Sequence, residues 1–151
     1  MSFEDDLKNI MKLKGKADIR YVRYILHSLQ WTDAQYSSAL YHSARNLAKK
    51  ILIHEINGSS IEEICKSIIS LFKKLEIGKL KVESIEKEKI IFRLENSVAA
   101  SKMTPINDKI CFFEAGLIAG ILEAKLKKDI KVYETMCSGL GDQFEEFTVN
   151  L

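Results

Sequence analysis

The sequence predicts an α+β fold in which an antiparallel four-stranded sheet packs with about four to five helices. Three observations carry that expectation. Apolar residues recur at the helical period through the first half of the chain, then switch to strict alternation over residues 79–95. A glycine-containing helical pattern at 110–126 follows, and alternation returns in two strands at about 130–136 and 144–150. Helices, hairpin, helix and hairpin in that order belong to an α+β layer architecture. At 151 residues with no internal repeat, the chain is expected to form one domain over 1–151.

The elements follow from local signals. Residues 2–15 read as a first helix, with Ser2 and Asp5 in capping-box positions, Leu7, Ile10 and Met11 as its stripe, and Gly15 at its end. It belongs to an N-terminal helical segment spanning 1–30. The stretch after Asp18 mixes helical and alternating signals in Ile19, Val22, Ile25, Leu26 and Leu29, and is assigned to helix. Thr32-Asp33 opens a long helix over 33–56, closed by Asn57-Gly58. Ser59 or Ser60 caps the next, whose broad apolar face includes Ile64, Cys65, Ile68, Leu71 and Phe72, with Gly78 beyond it. Leu80, Val82, Ile90, Phe92 and Leu94 form one face of a hairpin turning near Glu86-Lys87. Residues 96–109 hold the only proline, have the least pattern, and read as a loop acting as lid or interface arm.

Composition excludes several classes. A composition 46% hydrophobic and 29% charged is that of a folded domain rather than a disordered chain. With 23 basic and 21 acidic residues, nucleic acid is not an expected partner. No apolar run approaches the roughly 20 residues of a membrane span, and the acidic start MSFEDDLKN is unlike a signal peptide. A cytoplasmic location is expected. Three cysteines, Cys65, Cys111 and Cys137, leave one over in any disulfide scheme and suit thiols or metal ligands. Abundant Lys, Glu and Ile with one Pro leans toward a thermophilic source.

Reactive side chains concentrate in residues 111–151. Cys111 starts a helix, where exposed N–H groups and the dipole favour a thiolate. Glu134 shares parity with Ile130, Val132 and Met136, and Glu145 with Phe147, Val149 and Leu151, so both carboxylates lie on apolar strand faces. Unpaired there, each costs on the order of several kcal/mol. Zinc accepts such a mixture of thiolate and carboxylate ligands. A turn through Ser138-Gly139-Leu140-Gly141 is able to bring 134, 137 and 145 together. Spacing alone leaves a second reading open: Cys111 and Cys137 as small buried residues, with both glutamates facing solvent after a register slip.

The same segment resembles the C-terminal signature of the 4-vinyl-reductase domain family: Cys111 leading a helix with Gly116 and Gly120, then Glu134-Thr135-Met136-Cys137 and a Gly141-Asp142 turn. The match covers about forty residues, and a looser one covers Ala39-Leu40-Tyr41 to Leu47-Ala48. The resemblance implies a stand-alone archaeal member. It also implies a fold shared with the sensory domains of aromatic-responsive activators and, more distantly, with TRAPP vesicle-tethering subunits. It further implies a structural zinc, with Cys111, Glu134, Cys137 and Glu145 in the ligand positions. Glu145 departs from the pattern, which has Cys there.

Among other residues, Gly116 and Gly120 are read as close packing against the sheet or another helix, with a ligand channel as the lesser alternative. His27, His42 and His54 show no catalytic or metal spacing, and Cys65 reads as core. Lys125, Lys127, Lys128 and Lys131 read as a solvated helix end. Among Tyr36, Tyr41, Phe112, Phe113, Phe144 and Phe147, some are expected to line any hydrophobic pocket.

The functional expectation is a non-catalytic sensor that binds a small hydrophobic or aromatic molecule beside a structural zinc. It would act as a homodimer, with helix 33–56 as the pairing surface, and would signal to an unidentified protein partner. Two alternatives stand: an accessory factor or reductase acting on a tetrapyrrole vinyl group, and a dimeric scaffold. Against the reductase, the chain has no Gly-rich dinucleotide fingerprint and no CxxC cluster site.

Overall fold

The structure is a computed structural model that describes residues 2–151; residue 1 of the expected 1–30 segment lies outside the described residues. Helices α1 (Phe3–Ile10), α2 (Ile19–Thr32), α3 (Gln35–Lys50) and α4 (Ile61–Lys74) precede the hairpin β1 (Lys79–Ile85) and β2 (Lys89–Glu95). Helix α5 (Phe112–Leu126) and the strands β3 (Lys131–Met136) and β4 (Glu145–Asn150) complete the chain. This is the α+β architecture expected, with five helices and a four-stranded antiparallel sheet. The strand order is β1-β2-β4-β3, so β4 inserts between its own hairpin partner and β2.

Several boundaries move. The first helix stops at Ile10 rather than near 15, and the ambiguous stretch after Asp18 is helical, with the Asp18 side chain accepting from the Arg20 N–H. The long helix expected over 33–56 ends at Lys50. A single 3-10 turn, Leu52–Glu55, then brings Leu52 and Ile56 into the core. Capping boxes form at Ser2/Asp5 and Ser60/Glu63. Asp33 caps too, accepting from the Gln35 N–H at 2.9 Å.

Helix α5 is apolar on every side, and its residues Glu114–Glu123 are all buried, as a helix without a polar face requires. One side meets the sheet, whose inner face presents Leu80, Ile90, Phe92, Leu94, Val132, Phe147 and Val149. The other side meets α3 along its length. There the two backbones nearly touch. A Cβ on Gly116 would lie 2.2 Å from the Tyr41 carbonyl oxygen, and one on Gly120 would lie 2.3 Å from that of Arg45. Ala44 and Ala48 face the same seam from α3 and are fully buried. The packing reading of the two glycines therefore holds. The small face of α3, expected to pair two copies, is consumed inside the subunit.

A polar lock closes one end of that seam. Glu123, near the end of α5, is 5% exposed and accepts from Arg45 Nε of α3 at 2.8 and 2.9 Å, with Lys49 Nζ at 3.1 Å. Burial alone would raise its pKa, but these cations and the Ile130 N–H hold it below the ordinary carboxylate value.

Helices α1 and α2 have no buried residue. Side chains along one face of α2 tie it instead to carbonyls of the 96–109 loop. Arg23 donates to Val98 O at 2.9 Å and Ser101 O at 2.7 Å, His27 Nε2 lies 2.7 Å from Ala99 O, and Gln30 donates to Lys109 O. Among the described residues no helix is long and apolar enough to cross a membrane.

The seam gives a test with a sign. On a free helix, Gly→Ala gains up to about 1 kcal/mol. Here Gly116→Ala or Gly120→Ala is expected to lose about 1–3 kcal/mol, because backbone rather than a flexible side chain must move. Thermal melts should fall by several degrees; an unchanged or raised midpoint would show that the helices part freely.

Candidate functional site

Two neighbourhoods carry chemistry, and both lie against the first turns of α5. The first is the predicted constellation. Strand parity holds: Glu134 is 4% exposed and Glu145 is 1% exposed, each on the inner face of its strand. The four residues do meet around the start of α5, but their partners are protein groups. Glu134 accepts from the backbone N–H groups of Ile110 and Cys111, at 3.2 to 3.3 Å, so a strand-borne carboxylate closes the entrance of the helix. Cys137 Sγ accepts from the Gly139 N–H at 3.3 Å, while its thiol hydrogen-bonds Glu134. Cys111 Sγ lies 3.6 Å from Ser97 Oγ. Glu145 Oε1 accepts from both the hydroxyl and the N–H of Ser138.

The expected zinc does not survive this geometry. Among the described residues there is no grouping of three or more His, Cys, Asp or Glu side chains able to hold a metal ion. The protonation states agree. Burial pushes Cys137 up to about 12 and Cys111 well above the ordinary thiol value, and nearby glutamates add to both. These are neutral thiols, whereas a metal ligand must be a thiolate. The three cysteines are free and buried, with Cys65 in the core as read from its stripe. The segment is still a clasp between α5 and the last hairpin, but it closes with hydrogen bonds. Gly139 belongs to it: a Cβ there would lie 2.2 Å from Asp108 O, and its own carbonyl accepts from the N–H groups of Ile106 and Asn107.

The second neighbourhood is one that sequence reasoning missed as a place. A cavity of about 290 Å³ lies between the N-terminal helices and the body of the domain. Leu7, Ile10 and Met11 from the α1 region and Val22 and Leu26 of α2 close one side. Leu47, Leu52, Leu75, Ile77, Val98, Phe113 and Leu117 form the rest. Only one ionisable residue lines it, Glu114, which is 3% exposed and whose Oε2 has no hydrogen-bond partner among the described residues. Burial, with smaller contributions from Glu134 and Glu145, lifts Glu114 to about 7. The sequence held a signal for it, since Glu114 interrupts an otherwise continuous apolar helix.

A larger hollow of about 640 Å³ is an open groove between α3 and the edge strand β3, with Tyr41, His42, Arg45 and Tyr133 on its walls. Of the aromatic residues singled out, Phe113 lines the closed cavity, Tyr41 and Phe112 line the groove, and Phe147 is core. Phe144 lies under Arg93, 4.0 Å from its guanidinium carbon to the ring centre. The histidines stay structural, with His42 edge-on to Tyr41.

Comparison with known proteins places this geometry in context. The model of the 4-vinyl-reductase domain family matches residues 90–151, which bears out the resemblance read from the last forty residues. An uncharacterized protein of Methanocaldococcus jannaschii is 30% identical over 112 residues, covering 74% of this chain and 63% of that protein. Two further uncharacterized proteins of that organism are covered over 52% and 42% of their length, so the chain spans about half the length of the curated relatives it matches. Among solved structures, a vinyl-4-reductase family protein from M. jannaschii aligns with TM-score 0.63 and 23% identity, over 98% of this chain and 93% of that one. The phenol-responsive sensory domain of the transcription activator PoxR, solved with phenol, aligns with TM-score 0.66 and 13% identity, over 99% and 90%. A trafficking protein particle complex subunit 3 from Naegleria fowleri, covalently bound to palmitic acid, aligns with TM-score 0.65 and 17% identity, over 98% and 96%. At these identities the structures show a common fold.

If the clasp is closed by hydrogen bonds, removing its acceptor should cost more than removing any metal. Glu134→Ala strands two buried N–H groups, at about 1–3 kcal/mol each. Melting should drop accordingly, while incubation of the wild-type protein with a chelator leaves the midpoint unchanged. A fall on chelation that added zinc reverses would contradict this reading.

Proposed function

From a chain whose residues 90–151 carry a 4-vinyl-reductase family domain, we propose a non-catalytic module that binds a small hydrophobic molecule in the cavity beneath α1 and α2. One observation carries the reading: a closed apolar cavity is roofed by two helices that bury none of their own residues. A roof held mainly by polar ties to one loop opens at low cost, and low local stability is what a ligand-gated element requires. The volume suits a compact ligand, since an apolar cavity of about 150 Å³ is enough for benzene. Two proteins of the same fold support the ligand class, one solved with phenol and one with palmitic acid.

In this reading the ligand seats α1 and α2 against α5, and the change is passed on through the 96–109 loop that α2 grips. That loop is the lid or interface arm expected from its lack of pattern. The pairing surface expected on α3 is used internally, and Tyr21, Tyr24 and Trp31, all largely exposed, make α2 the face a second copy would cover. Three free buried thiols suit the reducing cytosol.

The test is native mass spectrometry of protein prepared from its own host, next to the Leu117→Trp variant, which fills the cavity. The wild-type chain should carry an organic adduct that the folded variant lacks. No adduct on the wild type, or the same adduct on both, would sink the reading.

A further inference from the structure

Four glutamates are buried in this domain, and three have protein partners. Glu123 is gripped by Arg45 and Lys49, Glu134 by two backbone N–H groups, and Glu145 by Ser138. Glu114 is the exception: its Oε2 is sealed from solvent with no partner among the described residues. It is also the one ionisable side chain lining the apolar cavity. A buried acceptor left without a donor destabilises the domain it sits in. A methionine or leucine of similar volume would fill the same position without that cost. Stability is given up in this way where a site is organised for something else.

We propose that Glu114 is the polar anchor of the cavity, accepting a hydrogen bond from the hydroxyl head of an otherwise apolar ligand. The claim rests on the cavity being the binding site and goes further by naming the residue and the ligand class. A hydroxyl fits better than an ammonium group. Every other lining residue is apolar, so a cation would surrender its hydration for a single partner, whereas a neutral hydroxyl surrenders little and supplies the missing donor. The expected ligand is therefore an aromatic or short aliphatic body of up to about bicyclic size with one hydroxyl, since a cavity of about half this volume already takes benzene. Anchoring on α5 also places the ligand's fixed end on the rigid body of the domain and its free surface against Leu7, Met11, Val22 and Leu26 of the roof.

The experiment measures binding of 2-naphthol and 2-methylnaphthalene, nearly equal in shape and differing in the donor, by equilibrium dialysis. The wild-type protein should favour 2-naphthol by about tenfold or more, the worth of a single well-made hydrogen bond to a buried acceptor. Glu114→Met should bind both compounds alike and, without ligand, melt above the wild type. Glu114→Gln, which keeps one acceptor oxygen and the side-chain shape, should retain part of the preference and guards against misfolding of the first variant. Equal binding of both compounds by the wild type, with both lost in Leu117→Trp, would overturn the role of Glu114 and leave the cavity standing. Binding of neither compound would remove the cavity reading itself, and this inference with it.

Discussion

The contact between α3 and α5 is the constraint on which the rest of the structure depends. Gly116 and Gly120 let two backbones approach until a single methyl group would collide with a carbonyl oxygen, and Ala44 and Ala48 complete the seam. Because α3 lies so close, α5 is covered on the side the sheet leaves open, and an apolar helix can be buried all round. Its position then sets where each neighbour sits. The start of α5 meets Glu134 and Glu145 from the sheet, its end meets Arg45 and Lys49 from α3, and between them Phe113, Glu114 and Leu117 face the space below the N-terminal helices.

Around this helix the buried carboxyls divide by what they meet. Glu123 and Glu134 are answered by cations or amides and hold elements together, with every strong donor near them used. Glu145 is answered on one oxygen by Ser138. Glu114 faces an apolar cavity, and burial lifts its pKa to about 7. One helix thus carries structural acids at its two ends and, within its first turns, an acid without a structural task. The thiols follow the same logic: buried among carboxyls, Cys111 and Cys137 stay protonated and act as small hydrogen-bonding core residues.

Much of this is legible in the chain. The change of period at residue 79 and the return of alternation after 126 mark the sheet, since strand parity is local and robust. The same parity places Glu134 and Glu145 inward before any coordinates. The zinc expectation fails one step later. Buried carboxylates require partners, and sequence spacing cannot tell a metal from the N–H groups of Ile110 and Cys111, which arrive from a loop more than twenty residues away. The end of α3 is hidden because Leu52 and Ile56 continue a helical pattern while the chain leaves the helix to bury them. The cavity is invisible for a different reason. Its walls come from separate segments spread along the chain, and α2 is held by Arg23, His27 and Gln30 through backbone carbonyls that no side-chain pattern announces.

The central claim is that the space beside Glu114, under a lightly held roof, is where this domain meets its ligand. Methyl-resolved NMR with 2-naphthol tests it most directly. The account predicts that shifts concentrate on Met11, Val22, Leu26, Leu47 and Leu117, with Val132 and Ala34 beside the open groove unmoved. Shifts confined to the groove residues, with the cavity methyls silent, would contradict it.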